Sequence, residues 1–338
     1  MVKETPLLLS IITPSYQQAA FLEETMQSVL NQNYPNLEYW VMDGGSTDGS
    51  REIIERYQSR LTGWVCEHDA GQADAINKGL NRARGDLIGW INSDDAYLPG
   101  TFNQVSTYFQ THADVGLVYG DVLAVDGAGQ PINLMTYAPY TVSDLLKFHM
   151  IGQSSVFFRR TLLEECGLLD AQYHYLLDHQ LWIRMAARTK IAYVPSVWSL
   201  ARYHADAKNI AAAAHFGRDA QRIVDWAAKE PLLQTIWQQQ GKDIQAGAFW
   251  LDAFYQADAG NPSQSLRAYG QVLRLSPARF FKDWKKILFT FLSWVGLKSI
   301  TNRVEKSYRK RQILQTHASL QSRGLTDRIP AQQEASHD

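Results

Sequence analysis

The 338-residue chain has only two cysteines, Cys66 and Cys166, which lie far apart and without a partner pattern for zinc or redox chemistry. We expect both to be reduced core thiols in a cytosolic compartment. The first residues also lack the long apolar segment and the small-residue cleavage site of a signal peptide. We therefore expect the main domain to face the cytoplasm.

The chain has no excess of one charge, because 33 Lys and Arg residues stand against 34 Asp and Glu residues. No global field attracts nucleic acid, so we predict no nucleic-acid partner. The hydrophobic content of 45% and the length suffice for a sizeable core. One main domain with an appendage is the expected organisation.

Apolar runs alternate with amphipathic stretches over the first hundred residues. Strands are predicted near residues 7–12, 37–42, 64–67 and 87–91, and each precedes a polar loop and a helix. Four such alternations predict an α/β fold with a single Rossmann-like, mostly parallel sheet flanked by helices. In such sheets a ligand lies beyond the carboxyl ends of the strands.

Polar side chains follow each of these predicted strands. The most pronounced case is residues 92–95, where a buried strand ends in two adjacent carboxylates, Asp94 and Asp95. Burial of this polar quartet would cost free energy, so it must be accessible to water, metal or ligand. Either acid could instead cap the helix that begins near Pro99. Convergence with Thr13, Asp43 and the loop at residues 68–69 on one sheet edge favours a site.

The loops lack two common phosphate-binding patterns. None has the Gly-x-Gly-x-x-Gly spacing of a dinucleotide fold, and no Walker-type Gly-Lys-Ser/Thr loop occurs. A nicotinamide dehydrogenase and a nucleoside triphosphatase are therefore disfavoured. The remaining expectation is a nucleotide held partly by side chains, its diphosphate paired with a divalent cation on carboxylate oxygens.

Four linked motifs carry a family resemblance: SIITPSY at residues 10–16, VMDGGSTDG at 41–49, DAGQADAINKG at 69–79 and GWINSDD at 89–95. In order and spacing they resemble the family 2 glycosyltransferases that build cell-surface polysaccharides. Weaker matches continue through residues 152–159, 177–184 and 202–204, and the resemblance fades after about residue 210. It implies the glycosyltransferase A fold and inverting transfer from a nucleotide-diphosphate sugar, with a UDP-sugar as the expected donor.

The resemblance also implies roles for residues of the nucleotide half. The residues predicted to bind nucleotide or donor sugar are Thr13, Pro14, Tyr16, Asp43, Asp69, Gln72, Asp74, Ser93 and Asp94. By itself Asp43 could equally be a turn residue, and the three residues of the 69–74 loop could serve as helix caps.

A divalent cation, Mn²⁺ or Mg²⁺, is the implied cofactor. Residues 92–95 resemble the family's Asp-x-Asp signature with Ser93 where many members carry an acid, which leaves Asp95 as the expected direct ligand. His204 resembles a histidine that some members place near the metal. Alternatively, it is an ordinary surface residue. Arg202 or Lys208 could instead meet the diphosphate charge.

Asp178 matches the position of the family's catalytic base. Inverting transfer needs a base that takes the proton of the acceptor hydroxyl while its oxygen attacks. A helix cap is the alternative role, and both roles can coexist because a helix N-terminus favours a carboxylate.

The composition divides the chain into four predicted segments. Residues 1–208 form the catalytic domain, with a nucleotide-sugar half over about 1–100 and an acceptor half over about 101–208. Residues 209–276 are expected to be a helical, tetratricopeptide-like appendage, whose helix pair must pack on its own domain or on a partner. Residues 277–311 are predicted to form a basic amphipathic helix, and residues 312–338 a disordered tail.

The basic amphipathic helix has an apolar stripe flanked by lysines. Its uncharged run from 287 to 297 is far shorter than the roughly 20 residues that span a bilayer. A helix lying on the cytoplasmic membrane face through about residues 279–311 is favoured over one docked on the protein. We thus predict a transferase acting on a glycan or polyprenyl-linked acceptor. The alternatives are a nucleotide-binding scaffold without catalysis and a sugar-nucleotide pyrophosphorylase.

Overall fold

The computed structural model describes residues 6–204 and 212–325, with the side chains of residues 298–305 left out. Four parallel strands form the first part of the sheet in the order β3-β2-β1-β4. They are β1 (Leu9–Ser15), β2 (Leu37–Asp43), β3 (Gly63–Cys66) and β4 (Leu87–Trp90). Three helices connect them: α1 (Ala19–Leu30), α2 (Ser50–Tyr57) and α3 (Gln72–Leu80).

The two faces of the sheet bury alternate side chains. Ile12 and Trp90 pack into a cluster with α3, whereas Ile11 and Ile91 pack into a second cluster with α1 and α2. Every residue of β1 and β4 is buried, as strands covered on both faces require. The predicted α/β fold with a mostly parallel sheet and flanking helices is confirmed.

The sheet continues with strands of mixed direction, in the order β4-β8-β6-β9-β5, and β7 pairs with β6. The pairs β4–β8, β6–β8, β6–β7 and β5–β9 are antiparallel, and β6 and β9 are parallel. The strands are β5 (Ala96–Tyr97), β6 (Val115–Asp126), β7 (Pro131–Met135), β8 (Val156–Arg159) and β9 (Lys190–Tyr203). The intervening helices are α4 (Thr101–Thr111), α5 (Val142–Leu146), α6 (Thr161–Cys166) and α7 (Leu177–Ala186).

Helices dominate the second described segment. They are α8 (Phe216–Ala227), α9 (Gln234–Asp258), α10 (Pro262–Leu275), α11 (Pro277–Lys282), α12 (Trp284–Trp294) and α13 (Lys298–Ser322). Side chains of α8 and α9, including Ile223 and Leu251, belong to the same apolar cluster as Trp182 of α7. Helix α10 packs against α9 through Ala268 and Val272. The appendage therefore packs on its own chain.

Three expectations need correction, two of them for this segment and one for the cysteines. The basic helix predicted over 277–311 is broken after Lys282 and again at residues 295–297. Residues 312–322, predicted to be disordered, continue α13, and Leu320 and Leu325 are buried against β6. The two cysteines are free but only partly buried, so they are not core thiols. Lys208 and residues 326–338 lie outside the described residues.

Across residues 6–204 and 212–325, no helix combines the length and apolar character that crossing a bilayer requires. The end of α13 is instead fixed to the sheet by charge. Arg323 donates to the fully buried carboxylate of Asp121 at 2.9 Å, and that carboxylate also accepts from the Tyr193 hydroxyl at 2.7 Å. The last turn of α13 therefore covers a buried acid of β6.

Replacement of Arg323 by alanine is expected to lower the free energy of unfolding by about 1–3 kcal/mol, because a buried carboxylate loses its charged donor. The loss is smaller than for a fully buried pair, since the Arg323 side chain is 37% exposed. Denaturant titration measures the change. Lys310→Ala, an exposed change on the same helix, should stay within about 0.5 kcal/mol of wild type. Equal effects of both variants would contradict the role given to Arg323.

Candidate active site

A cavity of about 1230 Å³ opens at the edge of the sheet where β1 and β4 end. Parts of the chain that are remote in sequence form its walls. Among them are residues 14–16 at the end of β1, the loop at 68–72, residues 92–95 after β4, residues 133–137 and 150–154, residues 174–178 at the start of α7, and residues 201–203 at the end of β9. The ends of β1 and β4 and the loop at 68–69 thus meet at this edge, as predicted, whereas Thr13 and Asp43 are not among the described residues that line the cavity.

Asp95 lies at the base of the cavity and is almost fully buried. Its carboxylate accepts the backbone N–H of Arg202 at 3.0 Å, and its carbonyl accepts the Thr25 hydroxyl at 2.6 Å. Burial, together with the charge of Asp94, raises the pKa of Asp95 well above its ordinary value. The site therefore destabilises this anion unless a positive charge is placed beside it.

Asp94 is paired with His204. The imidazole Nε2 of His204 lies 3.1 Å from the Asp94 carboxylate, and the imidazole ring packs on Phe21 of α1 with ring centroids 4.9 Å apart. Two carboxylates and an imidazole thus lie together at the end of β9. His204 is therefore not an isolated surface residue.

Arg202, near the end of β9, holds the backbone of Asp94 in place. Its guanidinium donates to the Asp94 carbonyl at 3.1 Å and to Glu24 at 2.7 Å, and only 6% of the residue is exposed. Because Glu24 already compensates its charge, the alternative that Arg202 meets a diphosphate loses support.

Oxygen and imidazole donors suit a hard divalent cation such as Mn²⁺ or Mg²⁺. The described part of the chain contains no cluster of three or more His, Cys, Asp or Glu side chains arranged to hold a metal by themselves. Magnesium sites that act on phosphates commonly use one or two carboxylates plus phosphate oxygens of the substrate. The pair of acids with His204 fits that kind of site.

Residues from the loop before α3 form the neighbouring wall. Asp69 accepts the Gly71 N–H at 2.8 Å, and Gln72 donates to Asn92 at 2.9 Å. A Cβ added to Gly44 would come within 2.6 Å of an Asp69 carboxylate oxygen and 3.2 Å of the Tyr16 ring. Glycine at position 44 therefore lets Tyr16 and Asp69 approach the same edge.

Of the residues predicted to bind nucleotide or donor sugar, Pro14, Tyr16, Asp69, Gln72, Ser93 and Asp94 line the cavity, and their contact with a donor stays a prediction. Three other predicted residues are not among the described residues that line the cavity. Thr13 is buried and bonds the Tyr39 hydroxyl at 3.0 Å. Asp74 accepts from the Ala70 N–H and pairs with Lys78.

Asp43 is the third of these residues. Its carboxylate accepts from the Gly45 and Ser46 N–H groups at 3.0 and 2.7 Å and from the Ser46 hydroxyl at 2.7 Å. These bonds build the loop after β2, which is the alternative turn role. Nucleotide contact by Thr13, Asp43 and Asp74 stays a prediction.

Asp178 also borders the cavity. Helix α7 starts at Leu177, so Asp178 lies in its first turn and not at the N-cap, which is Leu176. Its carboxylate accepts the His179 N–H at 2.7 Å. The positive end of the helix dipole favours the anionic form of a carboxylate in this position.

Sequence reasoning missed three aromatic residues of the site. Phe216 of α8 and Phe254 and Tyr255 of α9 line the cavity, although they belong to the helical appendage. Their spacing in sequence is that of ordinary helix-packing residues, so no local signal separates them from core positions. Only the packing of α8 and α9 against α7 brings them to the site.

Solved structures share this architecture. TarS residues 1–349 from S. aureus, in complex with UDP-GlcNAc, match with a TM-score of 0.62 at 18% identity, covering 90% of this chain and 93% of TarS. A mannosyltransferase from Pyrobaculum calidifontis in complex with GDP-Man and Mn²⁺ matches with a TM-score of 0.53 at 20% identity, covering 86% of each chain. The fold is the glycosyltransferase A fold, an α/β sheet flanked by helices.

The sequence of the same region matches a family model. Residues 10–167, slightly less than half of the chain, match the model of Glycosyl transferase family 2. The matched segment ends between α6 and α7, and therefore includes Asp94 and Asp95 but not Asp178.

Curated relatives cover a similar region. A putative teichuronic acid biosynthesis glycosyltransferase of Bacillus subtilis is 33% identical over 159 residues, which are 45% of this chain and 62% of the relative. A UDP-Glc:alpha-D-GlcNAc-diphosphoundecaprenol beta-1,3-glucosyltransferase of Escherichia coli is 27% identical over 205 residues, which are 60% of this chain and 79% of that protein. The chain thus spans less than two thirds of the first of these relatives.

Proposed function

We propose that this protein is an inverting, metal-dependent glycosyltransferase that moves a sugar from a nucleotide-diphosphate sugar to a hydroxyl of a glycan or lipid-linked acceptor in surface polysaccharide synthesis. One observation carries the proposal. The paired acids after β4 and Asp178 of α7 border a single cavity, although more than eighty residues separate them in the chain. The cavity thus offers separate carboxylates for the two roles that a transfer reaction needs, one set for the cation and one for the base.

The donor would lie along the β1 and β4 ends, between Tyr16, Asp69 and Asp94. Asp95 and His204, with Asp94 beside them, would hold the cation, which supplies positive charge to the diphosphate leaving group. The buried position of Asp95 supports this assignment, because an anion there needs a nearby positive charge. A UDP-sugar is the proposed donor, which agrees with the UDP-GlcNAc complex of TarS.

Asp178 would be the base. Its carboxylate would accept the proton of the acceptor hydroxyl as that oxygen attacks the anomeric carbon from the side opposite the leaving diphosphate. The bond from the sugar to the diphosphate breaks as the new glycosidic bond forms, so the configuration inverts. Binding both substrates in one cavity removes much of the entropic cost of their encounter.

Incubation with a panel of UDP- and GDP-sugars and Mn²⁺ or Mg²⁺ tests the activity through release of the free nucleotide. We expect release from at least one donor, loss of release on chelation, and loss of release in Asp95→Ala. The scaffold alternative predicts the opposite outcome: no release from any donor, with Asp95→Ala binding nucleotide as wild type does.

Asp178→Asn is expected to lower turnover by about 100-fold or more, the usual contribution of a positioned base, with little change in UDP affinity. Asparagine keeps the size of the side chain and its ability to accept the His179 N–H. Asp170→Asn, at a turn acid that accepts the Gln172 N–H, provides the matched control and should leave turnover unchanged. Wild-type turnover in Asp178→Asn would remove the base from this assignment.

We further propose peripheral attachment to the cytoplasmic membrane face through α11 and α12. Large apolar side chains are 45 to 64% exposed along these two helices: Phe281, Trp284, Leu288, Phe291 and Trp294. Exposed lysines accompany them, at positions 282 and 285. Anionic lipid is the occupant that matches both an apolar, tryptophan-bearing face and its basic border.

Co-sedimentation with phosphatidylglycerol vesicles tests this attachment. We expect the double variant Trp284→Ala/Phe291→Ala to bind at least about tenfold more weakly, since it removes apolar area that enters the lipid. Phosphatidylcholine vesicles or 1 M salt should also weaken binding, because both reduce the attraction of the lysines. Leu232→Ala, which removes an apolar side chain 52% exposed elsewhere, is the control. Equal binding by the double variant and wild type would contradict attachment through this face.

A further inference from the structure

We propose that the helical appendage builds the acceptor subsite: Tyr255 and Phe216, together with Tyr175, form an aromatic wall that receives the pyranose ring of the acceptor. This inference rests on the proposed function, which assigns the base role to Asp178. Phe216 and Tyr255 lie outside residues 10–167, the segment that matches the family model.

The three rings are continuous. The Phe216 and Tyr255 rings stack with centroids 4.1 Å apart and an interplanar angle of 16°, and the Tyr175 and Phe216 centroids are 5.3 Å apart. Phe216 is buried, whereas the two tyrosines are partly exposed and border the cavity. Phe216 thus supports the two outer rings from behind and fixes their orientation.

The wall lies beside the proposed base. Tyr175 precedes Asp178 by three residues, at the entry to α7. The pKa of Tyr255 is raised, mainly by burial and further by the charges of Tyr203 and Asp178, as expected when these groups share one region of the cavity. A ligand that packs on Tyr255 would therefore be close to Asp178.

The mixture of groups favours a sugar over a lipid chain. A pyranose ring has an apolar C–H face that packs on aromatic rings and a rim of hydroxyls that need hydrogen-bond partners. Asp178 and the hydroxyls of Tyr203 and Tyr137 border the same cavity as the aromatic wall. A lipid tail offers these polar groups no hydrogen-bond donor or acceptor, whereas the hydroxyl rim of a sugar offers both. The acceptor sugar therefore fits this part of the cavity better.

Saturation-transfer difference NMR on the full chain with Mn²⁺ and UDP tests the subsite without turnover. The probes are methyl β-D-glucopyranoside, methyl α-D-mannopyranoside and methyl N-acetyl-β-D-glucosaminide. We expect at least one probe to bind wild type and Tyr255→Ala to bind it about tenfold more weakly, equivalent to 1.4 kcal/mol. Tyr255→Phe should keep most of the affinity if the ring face is the contact.

Trp237→Ala is the matched control, because Trp237 is a partly buried aromatic residue of the same helix α9 that is not among the described residues lining the cavity. It should bind the probe as wild type does, and UDP affinity should be the same in all variants. The subsite is overturned if no probe binds wild type, if Tyr255→Ala binds like wild type, or if Trp237→Ala weakens binding equally. Nucleotide release from donors in the absence of acceptor tests the proposed function separately. Failure of the acceptor subsite can therefore be distinguished from failure of the proposed function.

Discussion

Burial of the Asp95 carboxylate is the constraint on which this site depends. The Asp95 carboxylate is almost fully buried, and the backbone N–H of Arg202 and the hydroxyl of Thr25 hold this residue in place. Those two contacts join α1, the segment after β4 and the end of β9 at one point. The pairing of β9 with β5 brings Arg202 to this point. The contacts of Thr25 and Arg202 with Asp95 therefore hold the fold together and also keep the Asp95 carboxylate in a buried position that disfavours its charge.

The same corner explains why Arg202 is an anchoring residue. Its guanidinium lies over the Phe21 ring at 5.0 Å, bonds the carbonyl of Asp94 and pairs with Glu24. A buried guanidinium is tolerated only with such compensation. Because Glu24 already compensates the charge of Arg202, the buried Asp95 carboxylate keeps a raised pKa despite this neighbour. This is the physical reason for proposing a cation there.

Sequence reasoning located the edge of the sheet well because strand ends are fixed by local pattern. Buried runs followed by polar residues marked β1, β2 and β4, and the parallel arrangement brought their ends together. It could not decide side-chain direction inside the loops. Thr13 bonds the Tyr39 hydroxyl, and Asp43 accepts hydrogen bonds from its own loop. Each side chain thus has a partner within the protein, and neither is among the described residues lining the cavity. Neither hydrophobic periodicity nor a motif indicates which hydrogen-bond partner a loop side chain will have.

The appendage was harder to predict for a different reason. Its helices were recognised from their spacing, but the apolar side chains of α8 and α9 look alike in sequence whether they enter the core or line a cavity. Ile223 enters the core and Tyr255 reaches the cavity, and only tertiary packing separates them. The disordered tail predicted from residue 312 was wrong for residues 312–325 on similar grounds, since Leu320 finds an apolar partner surface on β6 that no local composition reveals.

The pairing of His204 with Asp94 refines the division between the two acids. Asp95 is held rigidly by backbone, whereas Asp94 is held by a side chain at 3.1 Å that a cation could replace. If Asp95 and His204 hold the cation, as proposed, Asp94 would be the acid available to accept hydroxyl hydrogens from a sugar or ribose. Ser93 is buried beside them and carries no charge, so it adds no repulsion to the two acids. Serine in place of an acid at position 93 is therefore compatible with Asp95 as the rigidly held metal ligand and Asp94 as its more adjustable neighbour.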